Sequence, residues 1–261
     1  MRTKQLTMRK SVLVAALVVI FFLTLYSFPA RTRFSDEEGK ELAVFFNYLL
    51  FENFGAYVLF GSKPMCEAFL PPDLTPEEWT EKTRKIPESV LKKGKFVQSD
   101  FSTEWRTWEK AKSRLPLRRF RILFGPKSIV LLDLRQVQAV LKGHEPFFRE
   151  VLGGFPDIAE IERWDSPFWQ NIRSNHKALG LLFGYGWENV CYFESPFRDL
   201  SQEHDEPDAE RPSADAFGIP EFATPMGSPR VLEFQAERER IREMYRGKDM
   251  LETTLQRLIA E

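Results

Sequence analysis

The feature that most constrains this chain is an uncharged, apolar run near its N-terminus. The run covers Ser11 to Phe28, and twelve of its 18 residues are Val, Leu, Ile or Phe. As an α-helix it would be roughly 27 Å long, which is close to the thickness of the hydrocarbon core of a bilayer. The sequence therefore predicts a transmembrane helix at residues 11–28.

The residues around this run predict a signal-anchor with a cytoplasmic N-terminus. Four basic residues precede it, in the segment 1–10, and Arg31 and Arg33 follow it. The more basic flank of a membrane helix usually stays in the cytoplasm, so we expect an exported body, which is periplasmic in a Gram-negative cell. A cleaved signal peptide is the alternative, but cleavage after Ala30 would place bulky Phe28 where a small residue is preferred. A buried helix would leave the flanking charges unexplained.

The 227 residues from Ser35 onward are enough for one substantial domain or two small ones. The whole chain has a formal charge of -1, and residues 1–34 contain six basic and no acidic side chains, so the remainder has a charge of -7. An acidic body is a poor general partner for nucleic acid. The 24 Phe and six Trp residues indicate either a densely packed interior or a surface for planar ligands.

Apolar spacing and capping residues predict an α+β fold, with a mainly helical domain at 35–193 that contains short antiparallel hairpins. Helices are predicted from Ser35, from Pro76, from Asp100 or Ser102, from Asp133 to Gly143, and from Ser166 to Phe183. The predicted hairpins pair Ala56–Phe60 with Met65–Leu70, and Phe120–Phe124 with Ile129–Leu132. An acidic, proline-containing linker at 194–229 and a long amphipathic C-terminal helix at 230–261 complete the chain.

Two short segments share a pattern, VLFGSKP at 58–64 and ILFGPKS at 122–128. One interpretation is a duplicated unit of helix and hairpin. The other is that similar turn chemistry arose by coincidence.

Catalytic motifs are absent from the sequence, so candidate catalytic residues rest on residue type alone. His144 follows a helix-ending glycine, and His176 falls on the apolar face of its predicted helix, so we expect it to point into the core. Either histidine could act as a general base beside a carboxylate such as Glu145 or Asp165. His144 lacks the second histidine of a zinc protease motif, and we predict no metal site and no cofactor.

A basic and aromatic stretch between Glu81 and Arg121 is the candidate binding surface. It contains thirteen basic and five acidic residues. The candidate residues are Lys92, Lys93, Trp105, Trp108, Arg118 and Arg119. An acidic lipid, an envelope polymer or an acidic protein could bind there. Alternatively, these charges pair with the acidic linker or are simply solvated.

The chain has two cysteines, Cys66 and Cys191. An exported location would permit a disulfide between them, and two separate buried thiols are the alternative.

The segments VLFGSKP, ILFGPKS and HKALGLLFGYGWENV, the last at 176–190, resemble parts of single-pass membrane proteins of chlamydial-type bacteria. The resemblance implies a bacterial envelope setting. It implies no activity and no site residues.

These observations favour a membrane-anchored exported protein that binds or scaffolds rather than catalyses. One alternative is an envelope hydrolase that uses a histidine and a carboxylate. Another is a homo-oligomer that assembles through the C-terminal helix, where Ile241, Met244, Leu251, Leu255 and Leu258 recur at steps of three and four around Lys248.

Overall fold

The computed structural model describes residues 34–69, 102–125, 128–194, 218–220, 222, 224–225 and 227–260. These residues form an α+β fold that is mainly helical, as the sequence predicts. The helices are α1 (Asp36–Asn47), α2 (Ala56–Phe60), α3 (Ser102–Lys112), α4 (Leu134–Gly143), α5 (Glu145–Leu152), α6 (Ile158–Ile161), α7 (Pro167–Arg173), α8 (His176–Leu182), α9 (Trp187–Phe193), α10 (Pro229–Tyr245) and α11 (Met250–Ile259). A π-helical turn, Tyr48–Glu52, continues α1. The strands are β1 (Met65–Phe69), β2 (Phe120–Phe124) and β3 (Ser128–Asp133).

These three strands form one antiparallel sheet in the order β1-β3-β2. β2 and β3 form the second predicted hairpin, with Phe120 opposite Asp133. β1 pairs with the other side of β3, where Met65 lies opposite Leu132. β3 is therefore the central strand, and all of its residues are buried.

Each face of the sheet contributes to its own hydrophobic core. Because successive side chains of a strand point to opposite faces, Ile129 and Leu131 enter the first core, and Val130 and Leu132 enter the second. The first core is covered by α1, α2, α3, α10 and α11. The second core is covered by α4 to α9.

Aromatic rings fill much of the first core. Phe45 stacks on Trp108 with 5.6 Å between the ring centroids, and Phe46 meets the same indole edge-on at 5.3 Å. All three side chains are fully buried. At these positions the aromatic residues contribute to packing rather than to a ligand surface.

Two helix starts match the sequence closely. A capping box forms at the predicted start of α1, where the Ser35 hydroxyl accepts from the Glu38 amide and the Glu38 carboxylate accepts from the Ser35 amide. At α4, the Asp133 carboxylate accepts hydrogen bonds from the amides of Arg135 and Gln136. Short polar caps of this kind satisfy amides that have no partner inside the helix.

The prediction of a first hairpin is wrong. Residues Ala56–Phe60 form helix α2 rather than a strand, and the Leu59 amide donates to the Gly55 carbonyl. A run of five apolar residues fits a buried helical turn as well as a strand, and here tertiary packing decides between them. The proposed duplication fails with it, since residues 58–64 form a helix and a loop, whereas 122–124 belong to a strand.

The predicted helix from Ser166 to Phe183 is two helices. α7 ends at Arg173, and the Asn175 side chain caps α8 by accepting from the Ala178 amide at 2.9 Å. Asparagine is a favourable N-cap residue, so a new helix begins here and α7 does not continue. The break rotates His176 out of the expected face, and the residue is exposed rather than in the core.

The predicted C-terminal helix is also two helices, α10 and α11. Gly247 adopts a left-handed conformation with φ of 67° between them, and Asp249 caps α11. A glycine takes this conformation without the steric penalty of a side chain. Ile241, Leu251 and Leu255 are buried in the first core, so much of the apolar seam proposed for self-association is packed inside the protein.

Within the described residues, no helix is long and apolar enough to cross a membrane. The predicted anchor at 11–28 lies outside the described residues. So do the basic segment 1–10, the helix predicted from Pro76 and most of the linker at 194–229.

Candidate functional site

The loop Gly61–Pro64, between α2 and β1, accepts hydrogen bonds from and donates them to side chains of helices that cover the first and the second core. The Glu237 carboxylate of α10 accepts from the Ser62 amide at 3.0 Å, and the Arg230 guanidinium donates to the Ser62 hydroxyl at 2.9 Å. From α4, the Gln136 amide group donates to the Gly61 carbonyl at 3.0 Å. The loop therefore joins helices that cover different cores.

Two glycines allow these close approaches. A Cβ atom at Gly61 would lie 2.3 Å from a Glu237 carboxylate oxygen, which is too close for a non-bonded contact. A Cβ atom at Gly184 would lie 3.0 Å from the Pro64 ring, and Gly184 also has a positive φ of 78°. The Gly184 carbonyl accepts from Arg230 at 2.6 Å. Gly184, which follows α8, therefore contacts both the loop and α10.

Lys63 lies at the centre of this loop and is 2% exposed. Its Nζ atom lies 5.5 Å from the ring centroid of Phe183, 5.0 Å from that of Tyr185 and 5.8 Å from that of Phe234. Cation–π contacts of this kind stabilise the charged form only in part. We call Lys63, Arg230, Glu237 and the loop Gly61–Pro64 the Lys63 centre.

Burial is the main cause that lowers the pKa of the Lys63 amine to about 7, and within that balance Cys66 and Glu237 raise the pKa whereas the nearby Arg230 charge lowers it. Desolvation also raises the pKa of the neighbouring Cys66 thiol to about 12, so this thiol is a poor nucleophile. Chemically, the centre contains an amine that is neutral at mildly alkaline pH and shielded from solutes.

Sequence reasoning missed the Lys63 centre, although its parts were visible. Two of the three segments that carry the resemblance, at 58–64 and 176–190, meet here through Pro64 and Gly184. The glycines in these two segments were the sequence signal that another part of the chain could approach closely. Nothing in the spacing showed that these distant glycines would be in contact.

The candidate catalytic residues contact residues outside the Lys63 centre. His144 stacks on Trp187 with 5.4 Å between the ring centroids, and the Glu145 carboxylate accepts from Arg149 at 2.7 Å. Asp165 has a side chain that is 84% exposed and pairs with Arg163. Across the described part of the chain, no side-chain hydrogen bond joins His144 or the exposed His176 to either carboxylate.

The basic and aromatic candidates divide between core and surface. Trp108 is fully buried, and the half-buried Trp105 stacks on Phe124. Arg119 forms an ion pair of 2.6 Å with the buried Asp133, whereas Arg118 is exposed. Lys92 and Lys93 lie outside the described residues.

Other basic side chains in this stretch pair with carboxylates of the folded body. Lys112 binds Glu109 at 2.7 Å and Arg121 binds Glu162 at 2.8 Å. The Arg114 guanidinium pairs with Glu38, and its hydrogen bond, together with the one from the Ser35 amide, lowers the pKa of the Glu38 carboxyl to about 2.

Of the two possibilities for the cysteines, the structure has two free thiols, with Cys66 buried and Cys191 half-buried, and not a disulfide. Cys66 points into the first core, whereas Cys191 lies on α9, which packs on α8 over the second core. The sheet separates the two residues.

In the described residues, no group of three or more His, Cys, Asp or Glu side chains is placed to hold a metal ion. Comparison of the chain with protein-family models, curated proteins and solved structures finds no match.

Proposed function

We propose that the protein is a single-pass, membrane-anchored component of the cell envelope whose exported body binds anionic groups beside the membrane. The observation that carries this proposal is the position of four exposed basic residues, which we call the basic end: Lys110, Lys112, Arg114 and Arg118. Arg114 contacts the first described residues after the predicted anchor, and the other three flank it in sequence.

Two contacts of Arg114 place the basic end next to the start of α1. Its guanidinium carbon lies 4.8 Å from the ring centroid of Phe34, and it pairs with Glu38. Phe34 is six residues beyond Phe28, the last residue of the apolar run. Even a fully extended chain spans at most about 21 Å over that distance, so a retained anchor would hold the basic end close to the bilayer surface.

The charge of this region supports an anionic partner. Lys110 and Arg118 form no ion pair with any described residue, and Arg31 and Arg33 add positive charge between anchor and body. The opposing charges at the start of α1 are Asp36, Glu37 and Glu38, and the last of these is neutralised by Arg114. Each basic side chain near an anionic lipid surface contributes about 1 kcal/mol, and we therefore name anionic headgroups as the partner.

Amine footprinting of the full-length protein in nanodiscs tests this proposal. Lys110 and Lys112 should react several-fold more slowly with an amine-reactive reagent in nanodiscs that contain anionic lipid than in zwitterionic ones. The protection should disappear at high salt, because salt screens exposed charges. Lys142 and Lys248 are exposed lysines away from this end in sequence and serve as internal controls that should not change.

Equal labelling of Lys110 in both lipids would contradict lipid binding. If Lys110 and Lys112 are protected only after an anionic envelope polymer or a protein fraction is added, the partner is that polymer or protein and not lipid.

The two alternatives from the sequence receive no support from particular contacts. The hydrolase would need a histidine and a carboxylate in contact, and His144 instead stacks on Trp187. Assembly through the C-terminal helix would need apolar side chains that are buried in the first core, such as Leu255 and Leu258.

A further inference from the structure

We propose that Lys63 is a pH-sensitive latch that fastens the start of α10 and the Gly184–Tyr185 segment onto the loop Gly61–Pro64 when its amine is neutral, and loosens them when it is charged. The latch concerns how the folded body holds together. It goes beyond the proposed function and does not depend on a membrane anchor.

The geometry makes Lys63 a contact shared by separate parts of the fold. Its amine lies over Phe183 and Tyr185 on one side and over Phe234 of α10 on the other. No carboxylate among the described residues lies within ion-pair distance of Nζ, and the nearby Glu237 carboxylate accepts instead from the Ser62 amide. An ammonium group buried in this way loses its hydration without gaining a paired charge, so charging it opposes closure.

Ionisable groups from several elements of the fold surround Lys63. β1 contributes Cys66, whose pKa is raised to about 12 by burial, and α2 contributes Tyr57, whose pKa burial also raises. From α10, the Arg230 guanidinium lowers the pKa of the Lys63 amine and the Glu237 carboxylate raises it. The Tyr185 ring lies against the amine, and Asp133, whose amide donates to the Pro64 carbonyl, pairs with Arg119.

The direction of the pH effect follows from proton binding. Closed, the Lys63 amine has a pKa of about 7, against an ordinary value of 10.5 for a lysine in water. Between these values the opened form binds a proton that the closed form does not, so opening is favoured as pH falls. Below pH 7 both forms are charged, and the effect levels off. The opening equilibrium should therefore fall about tenfold for each pH unit from pH 7 to pH 9.

Amide hydrogen exchange of the full-length protein tests the latch. Protection factors, corrected for intrinsic exchange, are measured between pH 6 and pH 9 for peptides that cover residues 57–66 and 228–237. We expect protection in the wild type to rise about tenfold per unit above pH 7 and to be flat below it. Lys63→Met, which keeps the length of the side chain without its charge, should give high and pH-independent protection. Lys142→Met, at an exposed position, should behave as the wild type does.

Two results would overturn the latch: flat wild-type protection from pH 7 to pH 9, or an unchanged slope in Lys63→Met. If Lys63→Met does not fold, Lys63→Gln decides by the same criterion. The footprinting of the basic end concerns other residues, so either proposal can fail without the other.

Discussion

Asp133 shows at the scale of one residue how this fold uses its charges. One carboxylate oxygen caps α4, and the other accepts from the Arg119 guanidinium at 2.6 Å. Asp133 is fully buried and the Arg119 side chain is 12% exposed. Removing one partner of such a pair leaves the other charge without compensation, which costs more than the pair itself contributes.

We therefore predict that Asp133→Asn lowers the free energy of unfolding by about 2 to 4 kcal/mol, because the buried ion pair with Arg119 is lost while the cap is largely kept. Denaturant unfolding at neutral pH measures it. Asp165→Asn is the matched control: its side chain is 84% exposed, and the change should stay within about 0.5 kcal/mol. Equal effects of the two substitutions would show that burial of the Asp133 pair has no energetic consequence.

The helix caps could be predicted from the sequence, whereas the Lys63 centre could not. The capping groups at Ser35 and Asp133 act on neighbouring amides, so local sequence was sufficient to predict them. The Lys63 centre depends on contacts between distant segments. A lysine in a polar loop is usually solvated, whereas this one is buried beside rings from distant segments, those of Phe183, Tyr185 and Phe234.

At the scale of elements, local signals predicted helices and the tight hairpin but not the partner of β1. Turn residues placed β2 beside β3 correctly, because the two strands are close in sequence. β1 pairs with β3 across a long stretch of chain, and no local pattern encodes that choice. The breaks at Asn175 and Gly247 were missed because apolar periodicity continues across them.

The C-terminal helices give a prediction at this scale. Leu255 and Met244 belong to the same apolar seam of the sequence, but Leu255 is fully buried and Met244 is 46% exposed. We expect Leu255→Ala to cost about 2 to 5 kcal/mol of unfolding free energy, because it leaves a cavity in the first core. Met244→Ala should cost less than about 0.5 kcal/mol.

Thermal unfolding of both variants, together with a measurement of their mass in solution, tests whether the seam packs inside the protein or joins two copies of it. If the seam instead joined two copies of the chain, both substitutions would reduce the oligomeric mass, and the stability of the wild type would rise with protein concentration.

At the scale of the whole molecule, two cores share one small sheet, and the loop Gly61–Pro64 ties helices of both cores together. The α+β class followed from the mixture of helical and strand patterns. The division into two cores did not, because β3 is a continuous apolar run that does not reveal which side chain faces which core.

The folded body begins close in sequence to the predicted membrane anchor. α1 begins only a few residues after the apolar run, and it packs directly on α3, which leads into the basic end. A retained anchor would thus act on the first helix of the first core, without a long flexible spacer between membrane and body. The proposed membrane binding requires that this anchor stays in the chain.

A reporter enzyme that is active only outside the cytoplasm, fused after Glu261, tests this most directly when the size of the membrane-bound fusion is measured in the same cells. We predict an active reporter on a full-length fusion that stays in the membrane fraction after an alkaline wash. An inactive reporter, or a shortened fusion recovered in the soluble fraction, would contradict the account.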